Sequence, residues 1–270
     1  MIIVEHLHKT FKLSRKQRKE MGRGFEGLSI DALQDVNFVC QPGRVFCLVG
    51  PNGAGKTTAL RTIATMLRPS QGQVRVKDMD TVRQARQVRR VLGFSTGATA
   101  LYDRLTPNEM VMYYARLNGI DEATAKRRRD HFFELLNVHS YADRRIAKLS
   151  TGMKQKVSIT RTLIHNPDVL VFDEATAGLD VMAARSIHLL IQHLRDEGRT
   201  VLFSTHRMDE VELLADDLAL LHKGTLRYNG SFAEFKAAMQ ADSLEEEFIR
   251  IVEGTESNHR FKAALAQSFA

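Results

Sequence analysis

Residues Gly50 to Thr58, Gly-Pro-Asn-Gly-Ala-Gly-Lys-Thr-Thr, fill the pattern G-x-x-x-x-G-K-[ST]. Val45 to Val49 ahead of them have the composition of a buried parallel strand, and Leu60, Ile63, Ala64 and Leu67 behind them repeat at helical spacing. The motif thus lies between strand and helix, the context in which such a loop holds a nucleotide's phosphates. Gly53 and Gly55 let the loop turn, with Pro51, Asn52 and Ala54 completing the cradle, while successive N–H groups and the helix's positive end face the phosphates. Lys56 is placed to reach the β- and γ-phosphates, Thr57 to offer its hydroxyl to Mg²⁺, and Thr58 to donate to the α-phosphate.

The composition is ordinary for a globular protein with a sizeable core. The chain has 270 residues, 43% of them hydrophobic, and no apolar run near the roughly 20 residues needed to cross a bilayer. Met1 to His6 lack the basic start and long apolar stretch of a signal peptide, so a cytosolic chain is expected. Cys40 and Cys47 lie in apolar, strand-like surroundings without metal-ligand spacing and are expected to be buried, reduced thiols. Lys and Arg number 39 against 32 Asp and Glu, a formal charge of +7 that suits nucleic acid, anionic headgroups or nucleotide alone. Two basic clusters, Lys12, Arg15, Lys16, Arg18, Lys19 and Arg23, then Lys126 to Arg129, read as solvated faces, with contact to lipid headgroups as the sharper alternative for the first.

Ile2 and Val4, then Val36, Phe38 and Cys40, alternate with polar neighbours as an antiparallel edge would. Pro69 should stop the helix after the phosphate loop, and Val74 and Val76 imply a further short strand. From Thr106 to about Asn137 the signals are helical, with Thr106 as cap and Pro107 in the first helical position. Val169 to Phe172 and Val201 to Phe203 are continuous apolar runs suited to central strands, and Leu218 to Leu221 with Leu226 to Tyr228 read as a hairpin. Beyond Gly230 the pattern is helical, with Leu244, Phe248 and Ile251 on one stripe and Glu245, Glu246 and Glu247 off it.

A phosphate loop alone does not place a metal or an attacking water. Asp173 and Glu174 follow the apolar run at a strand's carboxyl end, where α/β sheets gather ligands. Asp173 suits Mg²⁺ through a hydration water, and Glu174 suits polarising a water in line with the γ-phosphorus. His206 ends the next strand, within reach of the same phosphate. Leu149 to Lys156 open a helix whose apolar face includes Val157, Thr160 and Leu163, so Ser150 and the first amides make a second anion-binding terminus.

With that segment the chain resembles the ATP-binding subunits of ABC transporters over about residues 1 to 230, as an ordered set of motifs. The resemblance implies a P-loop NTPase (RecA-like) core with an antiparallel β edge subdomain and an inserted α-helical subdomain: an ATPase domain over 1–235, the insert about 98–163, and a helical appendage over 236–270. It also implies ATP and Mg²⁺ as ligands, Phe11 as the adenine-stacking aromatic, Ser150 and Gly152 as the signature that caps nucleotide on the opposite subunit, and Ala177 to Asp180 as the loop crossing the dimer. Glu174, His206 and Lys56 become the catalytic set, Thr57 and Asp173 the metal set.

The implied partners are a second copy, head to tail, and an integral membrane permease beside Gly97 to Thr106, which would hold the chain at the cytoplasmic side of the membrane. Lys12 to Gly27, the variant Ser150 to Lys156, and Leu101-Tyr102 with Leu105-Thr106 resemble the ATPases of sodium-exporting, ABC-2-type systems. Three departures stand out: Gly97 where most members carry Gln, Thr151 and Met153 in place of Gly and Gln, and Ala175 where Pro commonly follows the catalytic Glu. A soluble ABC ATPase acting on nucleic acid or ribosomes is the rival reading, and a nucleotide kinase a third. The phosphate loop and signature lie too close for a chromosome-type coiled coil, translation-type relatives usually carry two cassettes, and a kinase has no use for the signature; no nucleic acid partner is expected.

Overall fold

The computed structural model describes residues 1–14, 28–97 and 101–253. Arg15, Lys16, Arg18, Lys19 and Arg23 of the first basic cluster, and the tail from residue 254, lie outside the described residues. In chain order the elements are β1 (Ile2–Lys12), β2 (Ser29–Cys40), β3 (Arg44–Val49), α1 (Lys56–Ile63), β4 (Gln71–Val76), β5 (Met79–Asp80), α2 (Ala85–Val91) and β6 (Leu92–Thr96). Next come α3 (Pro107–Leu117), α4 (Glu122–Leu135), α5 (Thr151–Leu163), β7 (Val169–Asp173), α6 (Val181–Asp196), β8 (Thr200–Thr205) and α7 (Met208–Leu214). The hairpin β9 (Asp217–His222) and β10 (Thr225–Ser231) leads to α8 (Phe232–Ala237) and α9 (Leu244–Glu253).

Two sheets result. A four-stranded antiparallel sheet has the order β2-β1-β4-β5, and a six-stranded sheet has the order β10-β9-β3-β8-β7-β6, parallel except for the β9–β10 hairpin. The central strands are apolar on both faces because both faces are covered. Val45, Cys47 and Val49 of β3 join a core with α5, α6 and α7, while Phe46 and Leu48 enter a second core between the two sheets, around Leu60 and Ile63 of α1. Phe38 of β2 stacks on Phe46 of β3 at 4.9 Å and 20°, tying one sheet to the other.

The register brings the carboxyl ends of four strands together. Val49 is opposite Thr205, Asp173 opposite Ser204, and Thr96 opposite Asp173. The segments that leave β3, β6, β7 and β8 therefore converge on one rim.

Several expectations are sharpened. The phosphate-loop helix ends at Ile63, and Thr65 adopts a positive φ of 64°, so the chain has turned before Pro69 and Leu67 lies beyond the helix. Strand β6 runs past Gly93-Phe94 to Thr96, which leaves Gly97 at its end. Two helices, broken at Asn118–Gly119, replace the single helical stretch from Thr106, and Thr106 and Glu109 form a reciprocal capping box at the first of them. Lys126 pairs with Glu122 across one helical turn, Arg128 donates to the Ile164 carbonyl, and Arg129 pairs with Asp130, so the second basic cluster is spent within its own lobe. Glu247 is off the apolar stripe of α9 as expected, yet it is 2% exposed. Its carboxylate accepts from the Gln240 and Ala241 amides and pairs with Arg250 at 2.6 Å, which is what makes its burial tolerable.

Candidate active site

The phosphate loop leaves β3 and closes onto α1 at Gly55, whose φ of 111° is left-handed and whose Cβ, had it one, would lie 2.6 Å from the Ala32 carbonyl oxygen. Glycine there serves the turn and the close approach together. The loop from Pro51 to Thr58 lines a cleft of about 470 Å³, to which Glu174, Ile30, Asp31, Ala32 and Lys223 also contribute. The amides of a helix N-terminus open into it, an arrangement suited to phosphate.

Lys56 is buried, 4% exposed, and its ammonium donates to the Gly50 and Pro51 carbonyls at 2.6 and 3.2 Å while pairing with Glu174 at 3.2 Å. A cation held this way already lies along the loop, poised to exchange backbone oxygens for phosphate oxygens. Asp173 accepts from Ser204 Oγ at 2.8 Å and from Thr57 Oγ1 at 3.2 Å. Glu174 adopts a left-handed φ of 49°, a conformation costing about 1–3 kcal/mol in a residue other than glycine. Its amide, held by the Ser204 carbonyl and hydroxyl at 3.2 Å each, helps to fix that bend. His206 Nδ1 lies 3.4 Å from Glu174 Oε1, so Lys56, Glu174 and His206 form one connected set.

Gly97 is as tightly placed as Gly55. Its amide donates to the Asp173 carbonyl at 3.0 Å, and a Cβ here would sit 2.7 Å from the Glu174 carbonyl oxygen. Any side chain at Gly97 would therefore press its Cβ on the Glu174 carbonyl and require one of the two segments to shift. Ser150 caps α5 by accepting from the Met153 amide at 3.3 Å, and Gly152 packs against Ala183 at the start of α6. Neither Ser150, Gly152 nor Phe11 lines the phosphate cleft. Phe11 is 37% exposed, pairs across the sheet with Ile30 at the cleft's edge, and has Lys9 Nζ 5.0 Å from its ring centre.

The sequence did not single out Ser204, Asp31 or Lys223. Ser204 had an available signal, since it stands two residues before His206 and β8 lies beside β7. Asp31 and Lys223 had none, because they reach the cleft from β2 and from the turn between β9 and β10.

The profile of the ABC transporter family matches residues 33–177. The chain belongs to this family. It is an ABC-type ATPase, the ATP-binding subunit of a transporter. It is 39% identical to the ABC transporter ATP-binding protein NatA of Bacillus subtilis over 83% of this chain and 92% of that one. It is also 30% identical to the probable multidrug ABC transporter ATP-binding protein YbhF of Escherichia coli, over 90% of this chain but 42% of that longer one. Among solved structures, an ATP-binding subunit of an ABC transporter superposes with a TM-score of 0.79 at 25% identity, covering 93% of this ATPase and 99% of that chain. A dimeric ATP-binding cassette in a post-hydrolysis state with ADP and phosphate shares the fold, with a TM-score of 0.74 at 23% identity and coverage of 86% and 98%. No helix among the described residues of the ATPase is long and apolar enough to cross a membrane.

Proposed function

We propose that two copies of this chain bind two ATP molecules head to tail and use their hydrolysis to drive export of Na⁺ through a separate ABC-2-type membrane subunit. The observation that carries the composite site is a division of labour. Lys56, Glu174 and His206 are linked beside the phosphate loop, whereas the second anion-binding terminus, at Ser150 and Gly152, lies outside that cleft and needs a nucleotide from elsewhere. In this reading Pro51 to Thr58 hold the triphosphate of one copy, Ser150 and Gly152 of the other copy close over it, and Phe11 stacks on the base.

Thr57 and Asp173 supply two hard oxygen donors 3.2 Å apart, with Ser204 orienting the carboxylate, a set that fits Mg²⁺ completed by phosphate oxygens and water. When bound, the ion neutralises charge on the β- and γ-phosphates. Glu174 then orients and takes a proton from the attacking water, Lys56 leaves Glu174 for the γ-phosphate, and His206 holds the phosphate edge as the bond to the leaving ADP breaks. The ATPase domain is taken as residues 1–235, with the helical subdomain about 98–163 and the appendage from 236.

Leu101 and the exposed Tyr102 and Tyr113, whose rings meet edge to face at 6.2 Å, offer the apolar surface for the permease, which would hold the chain at the cytoplasmic side of the membrane. The resemblance of Lys12 to Gly27, Ser150 to Lys156 and Leu101-Tyr102 to the ATPases of sodium-exporting, ABC-2-type systems supports sodium and that kind of partner. Proteoliposomes holding the chain and its membrane subunit should accumulate or expel ²²Na⁺ only with ATP, and Glu174→Gln should abolish the flux. ATP turnover in those vesicles without any sodium movement would remove sodium from the reading.

A further inference from the structure

Glu210 of α7 is the most deeply buried carboxylate near the site, 1% exposed, and its partners come from the segment after Glu174, from α6 and from the end of β8. Oε1 accepts from Thr176 Oγ1 at 2.5 Å and faces His188 Nε2 of α6 at 3.3 Å, while Oε2 accepts from Thr205 Oγ1 at 2.5 Å. The Arg207 guanidinium is 3.6 Å away. Burial alone drives this carboxyl up, but hydrogen bonds from His188, Thr176 and Thr205 more than offset it and hold it below the usual range.

The two threonines are not incidental. Thr176 is two residues beyond Glu174 in a segment whose amides fold back on it, Ala177 N to Glu174 O at 3.1 Å and Leu179 N to Thr176 O at 3.2 Å. Thr205 immediately precedes His206, and its hydroxyl accepts from the Arg207 amide at 3.0 Å while donating to Glu210. That single hydroxyl sets the turn carrying His206. One buried carboxylate therefore bolts the bend after Glu174 to the turn around His206.

We propose that Glu210 is a positioning residue that keeps Glu174 and His206 in mutual register, so that the loop crossing to the second copy and the His206 turn move as one body. This rests on the catalytic reading of Glu174 and His206. A simple structural anchor would affect stability alone; a positioning residue affects turnover while leaving nucleotide affinity in place.

The test is steady-state ATPase kinetics on the full chain for Glu210→Gln, Thr205→Val, Thr205→Ser and the double variant E210Q/T205V, beside Glu174→Gln. Glu210→Gln and Thr205→Val should each lower kcat by about tenfold to a hundredfold with KM for ATP near the parent's, since misplacement of reacting groups by about 1 Å can cost as much as about a hundredfold. Thr205→Ser, which keeps the hydroxyl, should restore the rate, and the double variant should be no slower than the worse single one. A folded Glu210→Gln protein with parental kcat overturns the proposal, as do Val and Ser at position 205 behaving alike. Should Glu210→Gln fail to fold, the Val and Ser pair decides. Parent-rate turnover in Glu174→Gln sinks the catalytic reading and this inference with it, whereas a dead Glu174→Gln beside a fully active Glu210→Gln sinks this inference alone.

Discussion

At Glu174 the chain holds a carboxylate in a left-handed bend between a lysine and a histidine, and two single-residue outcomes test what that bend is for. Glu174→Gln should bind ATP as the parent does and lose turnover by at least about a hundredfold, the scale for removing a general base; nucleotide titration and phosphate release measure the two quantities separately. Gly97→Gln, which restores the side chain most family members carry, should harm the enzyme. Its Cβ would enter at 2.7 Å from the Glu174 carbonyl oxygen, so kcat should fall and denaturant unfolding should show a loss of about 1–3 kcal/mol. A gain in rate from that variant would mean the loop after β6 adopts another path in the working state. Motif and flanking pattern singled out Lys56, Thr57, Asp173 and Glu174, and the structure brings them together, Thr57 beside Asp173 and Lys56 beside Glu174. The clash at Gly97 was not legible in the sequence, because it depends on how close two loops from different strands come.

Elements show the same division. Alternation in β1 and β2 and the unbroken apolar runs of β7 and β8 announced one covered face in the first pair and two in the second, and the structure buries them that way. The Thr-Pro-Asn-Glu entry to α3 became a complete capping box, so Thr106→Ala should lower thermal stability by about 1 kcal/mol without changing KM for ATP. Phe38→Ala, which removes the ring stacked on Phe46 between the sheets, should cost about 3–5 kcal/mol by chemical denaturation. Where the α1 helix stopped was hidden: helical spacing continued to Leu67, but a left-handed turn at Thr65 ended the helix before Pro69 could. Glu247 was placed off the apolar stripe beside two other acids, and the amides of Gln240 and Ala241 together with Arg250 explain why it is buried.

For the whole molecule, stability should depend on pH through His165. Burial lowers its pKa, only partly offset by its contact with the Leu92 carbonyl at 3.2 Å. A depressed folded value means the proton binds the unfolded chain more readily, so the contribution is complete above the ordinary histidine pKa of about 6.5 and drains away as pH falls through the folded value. The denaturant midpoint should drop between pH 7.5 and 5.5, and His165→Gln should flatten that slope. Assembly is the other molecular outcome: Glu174→Gln with ATP and Mg²⁺ should run as a dimer by light scattering and return to monomer with ADP.

The sequence by itself determined the strand-loop-helix that grips phosphate, the acidic pair at a strand end, the second helix terminus and the family these compose, because each is a local pattern whose chemistry follows from spacing. Tertiary structure alone decided that Ser204 steadies Asp173, that a side chain at Gly97 would press on the Glu174 carbonyl, and that Glu210 gathers hydroxyls from Thr176 and Thr205. Those facts are distances between segments far apart in the chain. They are set by strand order and register, which no short stretch of residues encodes.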